Sequence, residues 1–270
     1  EKVSDRKVRD EWKPLWGKRA VVEDHFNELV IDLVNPAGQP ERMQLVVRGY
    51  NDGFAFCYKI PEGEGECVNV QSELTAYNFA GDYTAWFYNG ENHNIGPEKL
   101  TETDGTRLPV MTVKAGDKHY MAIHEACLET GAPLVLQSKG GESLFSVASK
   151  PTSLSPGYTS AWRVVLYGTT PGVLTDSHLL ELLNPDPDSR YDFSWVKPGL
   201  AVWDWRINGA VWDGFTYGMS YPSWVRMVDF AAEQGFKYLV LDANWYGPEF
   251  ESDSDPVKGE KAQDVQRLLK

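Results

Sequence analysis

The sequence predicts an all-β sandwich followed by the first βαβ portion of an incomplete (β/α)8 barrel. Three observations predict it. Short alternating segments between turn signals fill residues 12–163, with almost no helical periodicity. Prolines and acids then cluster in Asn184-Pro185-Asp186-Pro187-Asp188-Ser189, a turn-rich linker signal. Beyond it the rhythm changes to apolar run, helical period, apolar run.

In chain order, residues 29–34 alternate and end at the turn signal Asn35-Pro36-Ala37-Gly38. Residues 43–48 and 54–60 flank Asn51-Asp52-Gly53, a hairpin signal. Strand segments are expected at 66–77, 119–128, 134–137 and 160–168, and a short helix over 175–184. In the second region a strand at 200–205 precedes a helix over 222–234. Gly235 stands where a left-handed helix cap belongs, and a strand at 236–241 follows. The expected division is a sandwich over 1–185, a linker over 186–198 and barrel strands over 199–270. A complete barrel needs eight strands and roughly 250 residues, so the chain is expected to be a piece of a larger enzyme.

Composition narrows the function. The 270 residues carry a net charge of −13 and no Lys/Arg run, which argues against nucleic acid as a partner. No apolar stretch is long enough for a membrane-spanning helix. Ten Trp and thirteen Tyr offer flat faces suited to sugar rings, although most such residues in any protein serve packing. Glu1 in place of Met, without a signal-peptide pattern, fits a processed or trimmed start. Of three cysteines, Cys57 and Cys67 flank Pro61-Glu62-Gly63-Glu64-Gly65 and could face each other across a hairpin, as a disulfide or as free thiols. Cys127 reads as a core thiol.

One segment breaks the sandwich pattern. In Tyr120-Met121-Ala122-Ile123-His124-Glu125-Ala126-Cys127-Leu128, alternation puts Glu125 on a face otherwise made of Met121, Ile123 and Cys127. A carboxylate there costs several kcal/mol unless it is paired or binds a metal. Glu125 is therefore either a ligand of a hard cation such as Ca²⁺, or the partner of an arginine such as Arg163 or Arg48, or a strand-end group reaching water. His124, on the other face, reads as a hydrogen-bonded structural residue. At the ends of the two barrel strands stand Trp203-Asp204-Trp205 and Asp242-Ala243-Asn244-Trp245. Active sites of such barrels lie at those strand ends. Asp242 and Trp245 are open between lining a sugar pocket and capping the loop; Asp204 reads as a cap. Asp213 and Asp229 read as solvated charges. The chain has no Gly-x-Ser-x-Gly, phosphate loop, Cys-x-x-Cys or His-Glu-x-x-His motif.

Several landmarks resemble, in order, those of glycoside hydrolase family 97, bacterial α-glucosidases and α-galactosidases. They are Trp12-Lys13-Pro14 with Trp16-Gly17-Lys18, Arg48-Gly49-Tyr50-Asn51-Asp52-Gly53-Phe54-Ala55-Phe56, Ala85-Trp86, Ile123-His124-Glu125-Ala126, Ala161-Trp162-Arg163, Trp195-Val196-Lys197-Pro198-Gly199 with Trp203-Asp204-Trp205, and residues 230–246. The resemblance implies an N-terminal β-supersandwich, a (β/α)8 barrel and a small C-terminal β-domain, of which this chain holds under half. It implies a Ca²⁺ held by glutamates, with Glu125 at the matching position in the sandwich. It also implies an oligosaccharide substrate with a terminal α-linked hexose, and a periplasmic or extracellular setting. Proton-transfer carboxylates are expected from later barrel strands, none within residues 1–270, so these residues alone are expected to be inactive. Inverting and retaining members differ in carboxylate separation, which is not legible here. Cys57 departs from the arginine the family often has there. Two other readings stand beside this one: a non-catalytic carbohydrate-binding sandwich ending near Arg190, and a structural sandwich in which Glu125 is salt-bridged.

Overall fold

The computed structural model describes residues 2–33, 43–63, 66–129 and 131–270. The turns expected at Asn35-Pro36-Ala37-Gly38 and at Glu64-Gly65 lie outside the described residues. Within the first region the strands are β1 (Lys2–Trp12), β2 (Val22–Leu33), β3 (Met43–Tyr50), β4 (Gly53–Lys59), β5 (Val68–Val70), β6 (Ala76–Asn78) and β7 (Thr84–Tyr88). They continue as β8 (Ile95–Lys99), β9 (Asp104–Lys114), β10 (Tyr120–Ala126), β11 (Leu136–Lys139), β12 (Leu144–Val147), β13 (Thr152–Leu154) and β14 (Trp162–Gly168). Two short helices close the region, α1 (Pro171–Asp176) and α2 (Leu179–Leu182).

One antiparallel sheet runs β1-β2-β3-β4-β14-β10-β9. At β9 it divides. Residues 104–107 pair with β11, which continues to β12 and β6, whereas Leu108 and residues 111–114 pair with β7, which carries β8. A separate small pair joins β5 to β13.

Period-two alternation then gives the sheet a core on each face. Ala122 and Ala126 of β10 join Trp162, Val164 and Leu166 of β14 in a core completed by Leu179 of α2 and by Leu183 just past it. Ile123, between the two alanines, points into the other core, with Phe87, Met111, Leu136 and Phe145. The hairpin expected at Asn51-Asp52 forms, with Tyr50 opposite Gly53. Gly53 is needed there because a Cβ would lie 2.4 Å from the Val165 carbonyl oxygen.

Several expectations are corrected. The region's first strand is β1, upstream of residue 12: its charge-rich sequence shows no apolar alternation, and its order comes from the register with β2. Residues 66–77 form two short strands, not one. The helix expected over 175–184 begins earlier, because Pro171 sits in the first turn with its φ already helical. It breaks at Ser177, which is extended (φ −58°, ψ 142°), before α2 begins.

The Cys57–Cys67 disulfide does not form, and all three cysteines are free thiols. Cys57 is buried in the first core, whereas Cys67 is exposed with Sγ 3.7 Å from Ser155 Oγ. Cys127, with φ 56° just past β10, is half-buried and packs against the edge of that core. Burial pushes the Cys57 thiol up to about 12. Iodoacetamide at mildly alkaline pH should therefore alkylate Cys67 in the native protein and Cys57 only after denaturation, as read by peptide mass.

A second compact unit covers Ser189–Lys270. Here β15 (Ala201–Trp203) pairs in parallel with β18 (Tyr238–Val240), and α4 (Tyr221–Gln234) makes the crossover. Gly235 caps α4 in the left-handed region (φ 71°), as the sequence predicts. The connection expected as loop contains α3 (Asp204–Ile207) and a hairpin of β16 (Val211–Trp212) and β17 (Phe215–Thr216). Ser223, Trp224, Met227 and Ala231 form the buried stripe of α4 at helical spacing. Trp224 and Met227 pack with Val265 of α5 (Glu260–Leu268).

Candidate functional site

Register explains how Glu125 is held. β10 lies between β9 and β14, and Glu125 stands directly opposite Arg163. Alternation sends both side chains to the face of Ile123 and Val165. There Glu125 is 9% exposed and Arg163 3% exposed.

Of the three partners open in the sequence, the arginine is Arg163. Its Nη1 is 3.5 Å from Glu125 Oε2. Arg48 is engaged elsewhere: its Nε donates to Glu28 at 2.8 Å, and its guanidinium lies over the rings of Phe26 and Trp162. The main hold on Arg163 comes from Glu73, which accepts Nε at 3.0 Å and Nη2 at 2.7 Å in a fork. Arg163 Nη1 itself has no hydrogen-bond partner among the described residues.

Glu125 Oε2 also accepts the Leu134 backbone N–H at 2.5 Å. Its other oxygen, Oε1, makes no hydrogen bond among the described residues. Burial raises the Glu125 carboxyl above the usual range, and the Leu134 N–H and Arg163 oppose that rise. For Arg163, burial works against the charge, but the hydrogen-bonded Glu73 outweighs it and the pKa rises. His124, on the opposite face, accepts the Glu125 N–H at Nδ1 (2.8 Å), and burial lowers its pKa.

As a cation site this arrangement is partial. No three His, Cys, Asp or Glu side chains gather to hold a metal among the described residues, whereas Ca²⁺ takes six to eight oxygens. Glu125 is a hard, oriented carboxylate that could contribute one oxygen ligand, through an Oε1 that makes no hydrogen bond among the described residues or through the engaged Oε2.

The strand ends of the second unit form a different cluster. Asp204, at the start of α3 and 1% exposed, accepts the Trp224 indole N–H at 2.9 Å on Oδ2 and the Asp242 backbone N–H at 2.9 Å on Oδ1. It thus ties α4 to the end of β18, which is more than the local cap the sequence suggests. Asp242 accepts the Trp203 indole at 2.7 Å on Oδ2 and the Ala243 N–H at 2.8 Å on Oδ1. Trp245 is half-buried against the unit's core, edge-on to Tyr246. Asp242 and Trp245 thus lie near one strand end, Asp242 with both oxygens engaged inside the fold.

Two residues of these sites had no signal in the sequence. Glu73 lies between β5 and β6, 90 residues from the arginine it holds, on no periodic element. Leu134 contributes only its backbone N–H.

A family model described as the Glycosyl-hydrolase 97 N-terminal domain matches residues 1–185. A retaining alpha-galactosidase of Bacteroides thetaiotaomicron is 27% identical over an alignment of 286 residues, covering 90% of this chain and 42% of that protein. A probable retaining alpha-galactosidase of Streptomyces bingchenggensis is 30% identical over 225 residues, covering 76% of this chain and 32% of that protein. Among solved structures, a Glycoside Hydrolase Family 97 enzyme from Pseudoalteromonas sp. strain K8, in complex with acarbose, superposes with a TM-score of 0.72 at 25% identity. That match covers 90% of this chain and 40% of the other. The chain thus spans well under half the length of the relatives it matches.

Proposed function

The chain belongs to glycoside hydrolase family 97, and from that membership we propose that it is the sandwich and the opening βαβ unit of a Ca²⁺-dependent exo-acting α-glycosidase. The substrate is an oligosaccharide with a terminal α-linked hexose. Of the two relatives named above, one is a retaining alpha-galactosidase and the other a probable one, which makes an α-galactoside the first substrate to try. In this reading β15 and β18 are the first strands of a (β/α)8 barrel, and the proton-transfer carboxylates stand on strands beyond residue 270. Asp242 and Trp245 line the sugar subsite, and the setting is periplasmic or extracellular.

The observation that carries the proposal is Glu125, a buried carboxylate whose Oε2 is held by Leu134 and Arg163 while Oε1 makes no hydrogen bond among the described residues. Orientation through one oxygen leaves the other to contribute to a cation shell. A Ca²⁺ held in part by Glu125 would supply Lewis-acid polarisation of the glycosidic oxygen. The chain's own part is positional: Glu73 holds Arg163, Arg163 and Leu134 hold Glu125, and the strand pairing of β10 with β14 holds them all.

A second reading has one observation in its favour. The 3.5 Å contact to Arg163 suffices for a purely structural ion pair, as in a sandwich without catalytic purpose.

Glu125→Gln in the intact enzyme separates the two. The glutamine keeps the Leu134 contact and gives up the ion pair with Arg163, which retains its fork on Glu73. Because burial already disfavours the carboxylate's charge, the metal-free melting temperature should move little. Ca²⁺ affinity measured by calorimetry should fall at least about tenfold, a loss of roughly 1.4 kcal/mol, with kcat falling as well. Equal Ca²⁺ affinity in variant and wild type would sink the ligand assignment and leave the structural reading.

A further inference from the structure

Glu73 sits on the coil between β5 and β6, yet its side chain reaches the face that Glu125 and Arg163 share. Three contacts fix that coil. The Glu73 N–H donates to Ser149 Oγ at 2.7 Å, the Val147 N–H donates to the Thr75 carbonyl at 2.9 Å, and Tyr58 Oη lies 3.1 Å from Thr75 Oγ1. The carboxylate is thus delivered to one place, the Nε–Nη2 edge of Arg163.

A guanidinium makes its strongest pairing through two parallel N–H bonds to one carboxylate. In Arg163 that pairing belongs to Glu73, at 3.0 and 2.7 Å. Glu125 is left with Nη1, at 3.5 Å and without a hydrogen bond. The cation leans to the carboxylate on the coil and away from the one on the strand.

Charge decides what this asymmetry does. Among the described residues, the ionised groups that bear on the Glu125 carboxyl are Arg163 and Glu73. The Tyr77 and Tyr158 hydroxyls alongside stay neutral, since burial pushes both up. A single guanidinium between two carboxylates leaves one negative charge uncompensated. All three side chains are largely shielded from water, so salt screens them little. With Glu73 neutral, the charges of Arg163 and Glu125 would cancel. A buried guanidinium is costly without an anion, so Arg163 would close on Glu125. A dication would then compete with the guanidinium for the same oxygens.

We propose that Glu73 is a positioning residue for the cation. By taking the fork of Arg163 it keeps Glu125 loosely paired and preserves the negative charge that draws a Ca²⁺. The inference rests on the calcium reading of Glu125 and adds to it a residue that acts only through Arg163.

The test is calorimetric titration of Ca²⁺ into the metal-free intact enzyme, with urea unfolding of each variant as the check on its fold. Glu73→Gln keeps the shape of the side chain and removes its charge, whereas Glu73→Asp keeps the charge on a shorter stem. Glu73→Gln should bind Ca²⁺ at least about tenfold more weakly, the usual cost of removing a partner behind a metal ligand. Glu73→Asp should stay close to the wild type. A purely structural role predicts the reverse order, because glutamine fills the space and aspartate does not.

Wild-type Ca²⁺ affinity in Glu73→Gln overturns the proposal. So does a loss in Glu73→Asp as large as the one expected of the glutamine, and that arm decides alone should Glu73→Gln not fold. Glu125→Gln separates this inference from its premise. Unchanged affinity there sinks the calcium reading and this inference with it, whereas a loss there with none in Glu73→Gln sinks this inference only.

Discussion

Arg163→Met should be among the most damaging single substitutions in the first unit, costing about 3–5 kcal/mol of stability as read by urea denaturation. Removing the guanidinium leaves Glu73 and Glu125 as two carboxylates facing one place, neither with its cation. The double substitution Arg163→Met with Glu73→Gln should recover part of the loss, because the remaining charge then has one fewer like neighbour. Arg163→Lys should restore little: a point ammonium cannot reproduce the two parallel bonds at 3.0 and 2.7 Å. If Arg163→Met melts like the wild type, the pair is not what fixes Glu125, and the positional account of the calcium ligand fails with it.

The second large effect belongs to Asp204. Asp204→Ala removes both acceptors that join α4 to the end of β18 and strands the Trp224 indole N–H and the Asp242 backbone N–H. Hydrogen bonds to a charged group contribute about 1.5–3 kcal/mol each, so a loss of about 3 kcal/mol is expected. Hydrogen exchange resolved by mass spectrometry should show α4 and residues 238–242 losing protection. Unchanged protection would mean that the apolar packing of Trp224 and Met227 holds this unit without the carboxylate.

Where the chemistry of an element is local, the sequence was legible. Alternation marked β3, β4, β10 and β14, and the glycine after an apolar stripe marked the end of α4. Glu125 stood out because one carboxylate interrupted an apolar face, and the structure finds it buried on that face. Where order comes from a distant partner, the sequence was silent. β1 is polar nearly throughout and is a strand because β2 pairs with it. Glu73 is tied to Arg163, and Asp204 to an indole 20 residues on, by contacts that no spacing encodes. Asp204 therefore read as a cap when it is a tie, and Cys57 and Cys67 read as a possible bridge when one is inside the core and the other on the surface.

The position of β14 also governs how the chain comes off the ribosome. β14 is the seam between β4 and β10, yet it is the last strand of the sheet to be translated. Until residue 168 has emerged, the sheet from β1 to β4 and the one around β9 and β10 cannot join, and each presents an open strand edge to its surroundings. Open edges are templates for wrong partners, and closing so distant a pairing is slow. Nascent chains stalled before Trp162 should accordingly be the species that chaperones hold, and release should follow once β14 slots between its neighbours and brings Arg163 to Glu125.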